Sequence, residues 1–595
     1  MTYLPLLDPS TETQIMSQPT QSPRGKRPLP SLVDDIATTD PHRVLYSITK
    51  TQDPAAGFRD ITAAEVARGV NRCAWYIEKN LGRGQNFPTL AFIGPQTPIY
   101  AILVLAAIKT GYKLLLLSPQ NTIEADLSLM GKSDCKTILL PPVLPFPIVG
   151  ELVQTGKLNI VEVPALEHWL EDGHVEPYPY TKTFEEARRD PFSVMHTSGS
   201  TGIPKPIIWT HGKVSTIDSF VDLASLGYRN MFFSMCPGTR LYGAFPVNHG
   251  AGLMMLLPAS IYAGFTVVTG PFPPTPEIMD SIHVHGNVQI SSVAPMMLTN
   301  LAKNPSYLEN LSRLNFIVYG GGPLPKATGE AVASKTTLFN FLGTTEAGSL
   351  PGHLCDPEDW AYLNFSSIVG SDFRPVGDGL YEHFIVRDPK LSRYQAIFET
   401  FPDINEWPLK DLYSKHPTKE GLWLYRGRAD DMIVYSTNQK LNPLGLEEII
   451  NSHPAISAAL VIGTGRSQTS LLVEAVAPPT NDVERDKLLD KIWESVEDAN
   501  SLVLEDKLKI RGDMVIFTSV EKPMLRAGKG TVQRQMTVDA YASELDALYA
   551  VVEQSTAGPY PEYEYVNEVN GVNGNYHGQQ MRKTMGFRGG DNRRN

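Results

Sequence analysis

The sequence predicts an α/β protein whose large N-terminal domain consists of mostly parallel sheets covered by helices. Short apolar runs alternate with amphipathic helical patterns from about residue 31 onward, as in strands joined by crossover helices. A chain of 595 residues is also too long for a single hydrophobic core. Near Tyr425 the pattern changes to a polar turn followed by a strand and a helix, which indicates a second, smaller domain.

The predicted strands of the large domain are its short apolar runs. In chain order they are TLAFIG (89–94), YKLLLLS (112–118), KTILLP (136–141) and TVVTG (266–270). The most apolar segment begins at Ile99, and Lys109 and Lys113 interrupt it. It contains fewer apolar residues than the ~20 that a membrane-spanning helix needs, so we expect a buried helix followed by a buried strand and no integral membrane segment.

Composition sets the boundaries of the folded part. Residues 1–30 are rich in Ser, Thr, Gln and Pro, which is typical of a flexible leader. The large domain is assigned to residues 31–424 and the smaller one to residues 425–550. Residues 551–595 are rich in Asn and Gly and poor in apolar residues, so a disordered tail is expected there.

Charge and cysteine usage exclude several classes of function. The chain has 64 acidic and 52 basic residues, so we expect no broad surface for nucleic acid or anionic lipid. Its four cysteines are scattered and lack metal-ligand spacing, and His283 and His285 are interpreted as structural. No secretory signal is recognisable, so the expected compartment is the cytoplasm.

The segment HTSGSTGIPKP combines hydroxyl groups, glycines and a lysine within residues 196–206. Glycines let backbone amides approach an anion, hydroxyls add donors and a lysine adds positive charge, which together suit a polyphosphate. The alternative is an ordinary surface turn, and the Walker pattern is not matched. The candidate phosphate-binding residues are Thr197, Ser198, Gly199, Ser200, Thr201, Gly202 and Lys205.

This segment resembles the phosphate-binding loop of the adenylate-forming superfamily, which includes acyl-CoA synthetases, luciferases and the adenylation domains of nonribosomal peptide synthetases. Further motifs of that superfamily follow in the same order, and they most resemble fungal nonribosomal peptide synthetase-like adenylation domains. The matching stretches are YGGGPLP (319–325), NFLGTTEAG (340–348), the Asp411 and Arg428 positions, and KPMLRAGKGTVQR (522–534).

The resemblance implies that ATP and Mg²⁺ bind here and that a small, mobile α+β C-terminal domain swings about a hinge at Asp430. Thr345 is implied to donate to the α-phosphate and Glu346 to bind Mg²⁺, while Lys529 bridges the substrate carboxylate and the α-phosphate. Asp411 and Arg428 are implied to contact the ribose. The implied adenine-contacting residues are Gly320, Gly321, Gly322, Asn340, Phe341 and Leu342.

Leu342 occupies the position where the superfamily commonly has a tyrosine that stacks on adenine. The missing ring removes a contact worth about 1 kcal/mol in comparable aromatic pairs. The adenine site is therefore expected to be weaker, unless Phe341 compensates.

The expected reaction is ATP-dependent activation of a carboxylic acid as an acyl adenylate, with release of pyrophosphate. Transfer to a thiol is expected to follow, either to coenzyme A or to the phosphopantetheine of a separate carrier protein, within secondary metabolism. Asn248, His249 and Gly250 are the candidate substrate pocket, and His249 is also a catalytic candidate whose alternative role is packing against the nucleotide.

In adenylation domains for α-amino acids an aspartate pairs with the α-ammonium group of the substrate. The stretch that resembles its surroundings here, GAFPVNHGAGL (243–253), contains no acidic residue. An aryl, keto or short aliphatic acid is therefore expected, because an unpaired buried ammonium costs several kcal/mol. Two alternatives remain open. The chain is a truncated relative of a nonribosomal peptide synthetase-like reductase, or it is an adenylate-binding protein without catalytic activity.

Overall fold

The computed structural model describes residues 24–142, 146–156, 158–197, 204–228, 231–235, 238–377, 379–437, 439–526 and 532–556. Within these, the residues up to Ala542 form one compact unit, and those from Ser543 onward form a second. All of the candidate site residues that the structure describes belong to the first unit.

Two large sheets form the centre of the first unit. Their strands, in chain order, are β1 (Val44–Thr49), β2 (Phe58–Thr62), β3 (Thr89–Phe92), β4 (Lys113–Leu116), β5 (Cys135–Leu140), β6 (Asn159–Glu162), β7 (Pro191–Thr197), β8 (Lys205–Thr210), β9 (Arg240–Gly243), β10 (Thr266–Thr269), β11 (Ile290–Val293), β12 (Phe316–Tyr319) and β13 (Thr337–Asn340). One sheet has the order β13-β12-β11-β9-β10-β1-β2 and the other β6-β5-β3-β4-β7-β8.

Both sheets are parallel except at one edge. Only β2, which pairs with β1, and β8, which pairs with β7, run antiparallel to their neighbours among these strands. The predicted runs at 89–94, 112–118, 136–141 and 266–270 correspond to β3, β4, β5 and β10. The predicted architecture of mostly parallel sheets is therefore confirmed.

Helices connect and cover these strands. In chain order the helices are Leu29–Thr39, Ala63–Leu81, Ile99–Lys109, Ile123–Lys132, Pro147–Gln154, Leu166–Trp169, Phe184–Ala187, His211–Val221, Phe232–Met235, Gly250–Met254, Pro276–His285, Pro295–Ala302, Pro305–Asn310, Lys326–Ala333, Ile397–Thr400, Pro443–Asn451, Asp482–Asn500, Arg534–Ala540 and Ala542–Thr556. Helix Ile99–Lys109 is buried along its whole length and leads into β4, as predicted. None of the helices in the described ranges has the length and hydropathy to cross a membrane.

A third large sheet, which the sequence does not predict, is antiparallel. After the short pair β14 (Leu342–Thr344) and β15 (Gly348–Leu350), its strands are β16 (Gly352–His353), β17 (Tyr362–Phe365), β18 (Ser371–Gly377), β19 (Leu380–Val386), β20 (Glu406–Lys415) and β21 (Leu422–Arg428). They lie in the order β16-β17-β21-β20-β19-β18. The predicted domain boundary at residues 424 and 425 falls inside β21, because the change of pattern at Tyr425 lies within this last strand.

The region after Arg428 has a hydrophobic core of its own. Its strands are β22 (Ile433–Val434), β23 (Lys440–Leu441), β24 (Ile456–Ile462), β25 (Ser470–Ala475) and β26 (Val515–Phe517). Helices Pro443–Asn451 and Asp482–Asn500 contribute side chains to the same cluster, whose members lie between Ile433 and Phe517. This segment has the α+β character that the sequence predicts.

Residues 24–28, which precede the first helix, are packed, although the sequence places residues 1–30 in a flexible leader; residues 1–23 of that predicted leader lie outside the described residues. Asp218, which is 0% exposed, accepts hydrogen bonds from the Gly25 amide at 2.6 Å and from Arg27 Nε at 3.0 Å. The helix Leu29–Thr39 then begins within the expected leader. A buried carboxylate needs partners, and the Gly25 amide and the Arg27 guanidinium supply them. At the other end, helix Ala542–Thr556 extends past residue 550.

Candidate functional site

One cavity of about 1060 Å³ collects most of the candidate residues that the structure describes. Its walls come from the ends of β7 and β12, the segment 340–345, the helix Gly250–Met254 and the third sheet. The candidate residues that line it are Thr197, Asn248, His249, Gly250, Gly320, Gly321, Gly322, Asn340, Phe341, Leu342, Thr345, Asp411 and Arg428.

A glycine turn follows β12 at the cavity wall. Gly321 has a φ of +87°, a left-handed conformation that favours glycine. A Cβ atom on Gly320 would lie 2.3 Å from the carbonyl oxygen of Phe341, so only glycine fits this close approach. The backbone of the turn therefore packs directly against the segment 340–345, and both border the cavity.

Phe341 and Leu342 face different surroundings in that second wall. The ring of Phe341 packs with Phe232 and Phe233, with centroids 5.7 and 6.1 Å apart, so it belongs to an aromatic cluster. Leu342 also packs against the main core. Both side chains still border the cavity, and the adenine-contacting role of either one stays a prediction.

The turn at Thr345 and Glu346 is held through its backbone. The Thr345 carbonyl accepts hydrogen bonds from Trp209 Nε1 at 2.9 Å and from Lys213 Nζ at 3.0 Å. The Glu346 carbonyl accepts from Lys213 Nζ and from Thr400 Oγ1, the latter at 2.9 Å. Thr345 lines the cavity, whereas Glu346 is half-buried beside it and is not part of the lining.

Lys213 is a residue of this site that sequence reasoning missed. It is 2% exposed, borders the cavity and lies in the helix His211–Val221. Burial lowers the pKa of its ammonium group to about 7, while the charge of Glu346 acts in the opposite direction. The available signal was a lysine next to an otherwise apolar and hydroxyl-rich helical stretch, KVSTIDSFV.

Asp411 and Arg428 face each other across β20 and β21. They are register partners, and Arg428 Nη1 lies 3.2 Å from Asp411 Oδ1. Asp411 is 5% exposed, and this burial raises the pKa of its carboxyl to about 6 although Arg428 lowers it. A buried carboxylate with one cationic partner retains the capacity to accept further hydrogen bonds from a ligand.

Asp430, the candidate hinge residue, lies in a short 3₁₀ turn (Ala429–Asp431) directly after β21. Its carboxylate forms ion pairs with Lys410 at 3.2 Å and with Arg428 at 3.6 Å. It is exposed and does not belong to the cavity lining. Its hinge function stays a prediction.

The predicted substrate pocket forms the start of the helix Gly250–Met254. Asn248 is 7% exposed, and its Oδ1 atom has no hydrogen-bond partner among the described residues. The Ala251 amide donates to His249 Nδ1 at 3.3 Å, and the His249 ring stacks on Phe245 with centroids 5.9 Å apart. A Cβ atom on Gly250 would lie 3.2 Å from the Trp209 ring, so glycine keeps this part of the cavity open.

Of the phosphate-binding candidates, the structure describes Thr197 and Lys205. Thr197 ends β7 at the cavity and pairs in register with Lys205, which begins β8, is exposed and does not line the cavity. Ser198, Gly199, Ser200, Thr201 and Gly202 lie outside the described residues, and so does Lys529. Arg526 and Gln533, which stand on either side of the segment that contains Lys529, both line the cavity.

Other potential metal ligands are explained without an ion. His283, which the sequence predicts to be structural, is buried and forms a hydrogen bond through Nε2 to Ser291 Oγ at 2.9 Å. In the described ranges, Asp356, Glu358 and Asp359 lie close enough together for a metal. Lys419 Nζ forms ion pairs with all three carboxylates, so the lysine already offsets part of their charge.

Two family models match the chain. The model described as AMP-binding enzyme matches residues 35–371, which is more than half of the 595 residues. The model described as AMP-binding enzyme C-terminal domain matches residues 430–553. The first range contains the glycine turn and the Thr345 turn, and the second contains Lys529.

Similar curated proteins are fungal and longer. An isocyanide synthase-NRPS hybrid of Aspergillus fumigatus is 35% identical over 535 residues, which cover 89% of this chain and 34% of that protein. A carboxylic acid reductase of Neurospora crassa is 34% identical over 553 residues, which cover 91% of this chain and 52% of that protein. The chain thus spans a third to about half of the length of these two relatives.

Among solved structures, the chain is similar to O-succinylbenzoate coenzyme A synthetase from Bacillus subtilis in complex with ATP and a magnesium ion. The TM-score is 0.63 at 17% sequence identity, over 86% of this chain and 99% of that one. At this identity, the likeness shows a common fold.

Proposed function

Because the chain belongs to the AMP-binding enzyme family, we propose that it activates a carboxylic acid with ATP to give an acyl adenylate and pyrophosphate. The observation that carries this proposal is the single cavity lined by the glycine turn 320–322, Thr345, Thr197 and the buried Asp411. These groups match the parts of a nucleotide in chemistry, and the pocket residues Asn248 and His249 border the same space.

The reaction brings a carboxylate against the negatively charged phosphates of ATP, so the side chains of the site must offset this repulsion. A carboxylate oxygen of the acid bonds to the α-phosphorus of ATP, and the bond from that phosphorus to the β-phosphate oxygen breaks, so that pyrophosphate leaves with the electron pair. Thr345 donates to the α-phosphate, and Asp411 accepts from the ribose hydroxyls. Lys529 offsets the repulsion between the carboxylate and the phosphate, and the residues from Thr197 to Lys205 hold the departing pyrophosphate.

Glu346 is the proposed ligand for Mg²⁺. Mg²⁺ prefers carboxylate and water oxygens together with phosphate oxygens, and its charge would offset that of the leaving group. Because Lys213 and Thr400 hold the Glu346 carbonyl, the position of this residue beside Thr345 is well defined. The Glu346 carboxylate, half-buried beside the cavity, is thus the group that we propose for this cation.

The acid that we propose lacks an α-ammonium group. The stretch 243–253 carries no carboxylate, and the buried amide of Asn248 has an unpartnered oxygen that suits a neutral donor such as a hydroxyl group. His249 supplies an aromatic face at the same place. Aryl, keto and short aliphatic acids meet these conditions.

Transfer of the acyl group to a thiol is the second step that we propose. The acceptor is coenzyme A or the phosphopantetheine of a separate carrier protein, and the thiol displaces AMP from the acyl adenylate. The C-terminal family model begins at residue 430, which supports a domain that turns at Asp430. Lys529 then serves only the first step.

A second candidate is that this chain corresponds to the adenylating part of a longer enzyme of the reductase type. It is favoured by one observation, since the chain covers 52% of the carboxylic acid reductase it resembles. Both candidates require the same first step. They differ in what consumes the acyl adenylate.

ATP–pyrophosphate exchange with matched acids tests the proposal. We expect exchange with phenylpyruvate to exceed that with phenylalanine, because the pocket offers no carboxylate partner for an α-ammonium group. Preference for phenylalanine would overturn the assignment of the pocket. ATP binding without exchange across a broad panel of acids would support an adenylate-binding protein without catalytic activity.

A further inference from the structure

Lys213 lies at the centre of a buried group of hydrogen bonds behind the Thr345 turn. Its Nζ atom donates to the carbonyl oxygens of Thr345 and Glu346 and to Thr400 Oγ1. Thr400 Oγ1 in turn donates to the Glu346 carbonyl at 2.9 Å. An ammonium group has three N–H donors, and each of them has an acceptor here.

The helix that carries Lys213 is itself anchored. The Lys213 amide donates to Thr210 Oγ1 at 3.2 Å, which caps the start of the helix His211–Val221. Nearer the other end, Asp218 is bound by Arg27 Nε at 3.0 Å and by the Gly25 amide. The ammonium group thus projects from a backbone that is fixed on both sides of it.

The contacts of the Lys213 amine suit its protonated form, although burial lowers its pKa. The indole of Trp209 lies under the ammonium, 5.4 Å from its ring centroid, and donates to the same Thr345 carbonyl. Hydrogen bonds from a charged donor are shorter and stronger than neutral ones. Two adjacent carbonyls therefore accept hydrogen bonds from Trp209, Lys213 and Thr400, of which Trp209 and Lys213 also border the cavity.

We propose that Lys213 is a positioning residue, which holds the backbone of Thr345 and Glu346 so that the Thr345 hydroxyl and the Glu346 carboxylate are presented to the nucleotide phosphates and Mg²⁺. The roles of those two side chains rest on the proposed function. The hydrogen bonds from Lys213 to the Thr345 and Glu346 carbonyls, which we call the clamp, are present in the protein without ligand. Their effect on the rigidity of the turn can therefore be measured separately from their effect on the reaction.

The first test needs no activity. In Lys213→Met, hydrogen–deuterium exchange should become about ten-fold faster in peptides that cover the hairpin 342–350, because charge-assisted hydrogen bonds behind it are lost. Lys109→Met is the matched control, since Lys109 is also buried and pairs with Asp34 at 2.6 Å far from this turn in the sequence. Unchanged exchange in Lys213→Met, or equal acceleration of the hairpin in Lys109→Met, would refute the clamp.

The second test uses ATP–pyrophosphate exchange by the full chain. Lys213→Met should lower kcat about ten-fold and raise the Mg²⁺ concentration for the half-maximal rate, with the KM for the acid unchanged, because misplaced groups cost rate rather than acid binding. Thr400→Val removes one hydroxyl of the same group and should give a smaller change in the same direction. Lys109→Met should behave as the wild type.

The outcomes separate the two hypotheses. Wild-type kcat and Mg²⁺ dependence in a folded Lys213→Met variant would overturn the positioning role. If the wild-type protein shows no exchange with any acid, the proposed function falls, and the deuterium measurement still decides whether Lys213 holds the turn.

Discussion

At the scale of single residues, some residues of the candidate site can be predicted from local sequence motifs and others cannot. Asp411 and Thr345 are marked by local motifs, and the structure brings both to one cavity. Lys213 has no such motif, because its partners Thr345 and Thr400 are 132 and 187 positions away in the chain. Contacts of that separation depend on the whole fold, so no local pattern could predict them.

The carboxyl of Asp411 supports a prediction about pH. Its pKa is raised to about 6 by burial, and only the ionised form can accept both ribose hydrogen bonds. Adenosine, which does not itself titrate in this range, should therefore bind about ten-fold more weakly at pH 5 than at pH 7. Calorimetric titration at both values checks this expectation.

The sign for stability is opposite to the sign for binding. Because the folded pKa lies above the usual value of 3.8, the unliganded protein gains stability from this group as the pH falls from about 6 towards 4. Asp411→Asn should bind adenosine weakly at both pH values. A wild-type affinity that does not change with pH would contradict the proposed ribose contact.

At the scale of elements, the parallel strands were predictable and the antiparallel sheet was not. The runs that became β3, β4 and β5 are continuously apolar because helices cover both faces of a parallel sheet. Strands β18 and β19, SDFRPVG and LYEHFIV, mix charged and aromatic residues because they are only partly buried. Such strands resemble loops when they are read along the chain.

The packed segment before the first helix leads to a prediction about stability. Arg27→Ala leaves the fully buried Asp218 with weaker compensation of its charge, and we expect the free energy of unfolding to fall by about 3 kcal/mol. Urea denaturation followed by fluorescence measures this change.

Lys26→Ala is the control for this prediction, because the neighbouring pair of Lys26 and Glu185 is exposed and should contribute less than about 1 kcal/mol. The double variant Arg27→Ala, Asp218→Asn should recover part of the loss. Equal effects of Arg27→Ala and Lys26→Ala would show that the segment is not an anchor.

At the scale of the whole molecule, the border that the sequence predicts between its two regions falls within a strand. The change of pattern at Tyr425 lies inside β21, and the separate cluster begins only at Ile433. Composition shows where the chain changes from apolar to polar residues, whereas the boundary between the third sheet and the C-terminal region depends on which strands pair. Arg428 pairs with Asp411 and therefore remains with the third sheet.

The proposed movement of the C-terminal region gives the last prediction. Lys529→Ala should abolish formation of the acyl adenylate but leave the proposed thiolation of a preformed acyl adenylate largely intact, because the proposed mechanism uses the lysine only in the first step. Single-turnover assays of each half-reaction measure the two effects.

Lys522→Ala, in the same motif, is the matched control, since the Lys522 ammonium lies 4.3 Å from the centroid of the Tyr541 ring. It should retain both half-reactions. Equal loss of both in Lys529→Ala would show that the lysine does not distinguish the two steps.

The self-contained cluster between Ile433 and Phe517 also has an evolutionary consequence. Its apolar members are supplied by that segment alone, so exchange of the segment between related genes would leave the apolar members of the larger core unchanged. A crossover between Arg428 and Ile433 would leave the pair of Asp411 and Arg428 on one side and the whole cluster on the other. Recombination at this place would exchange the C-terminal cavity residues Arg526 and Gln533, while the cavity walls that precede the crossover stay unchanged.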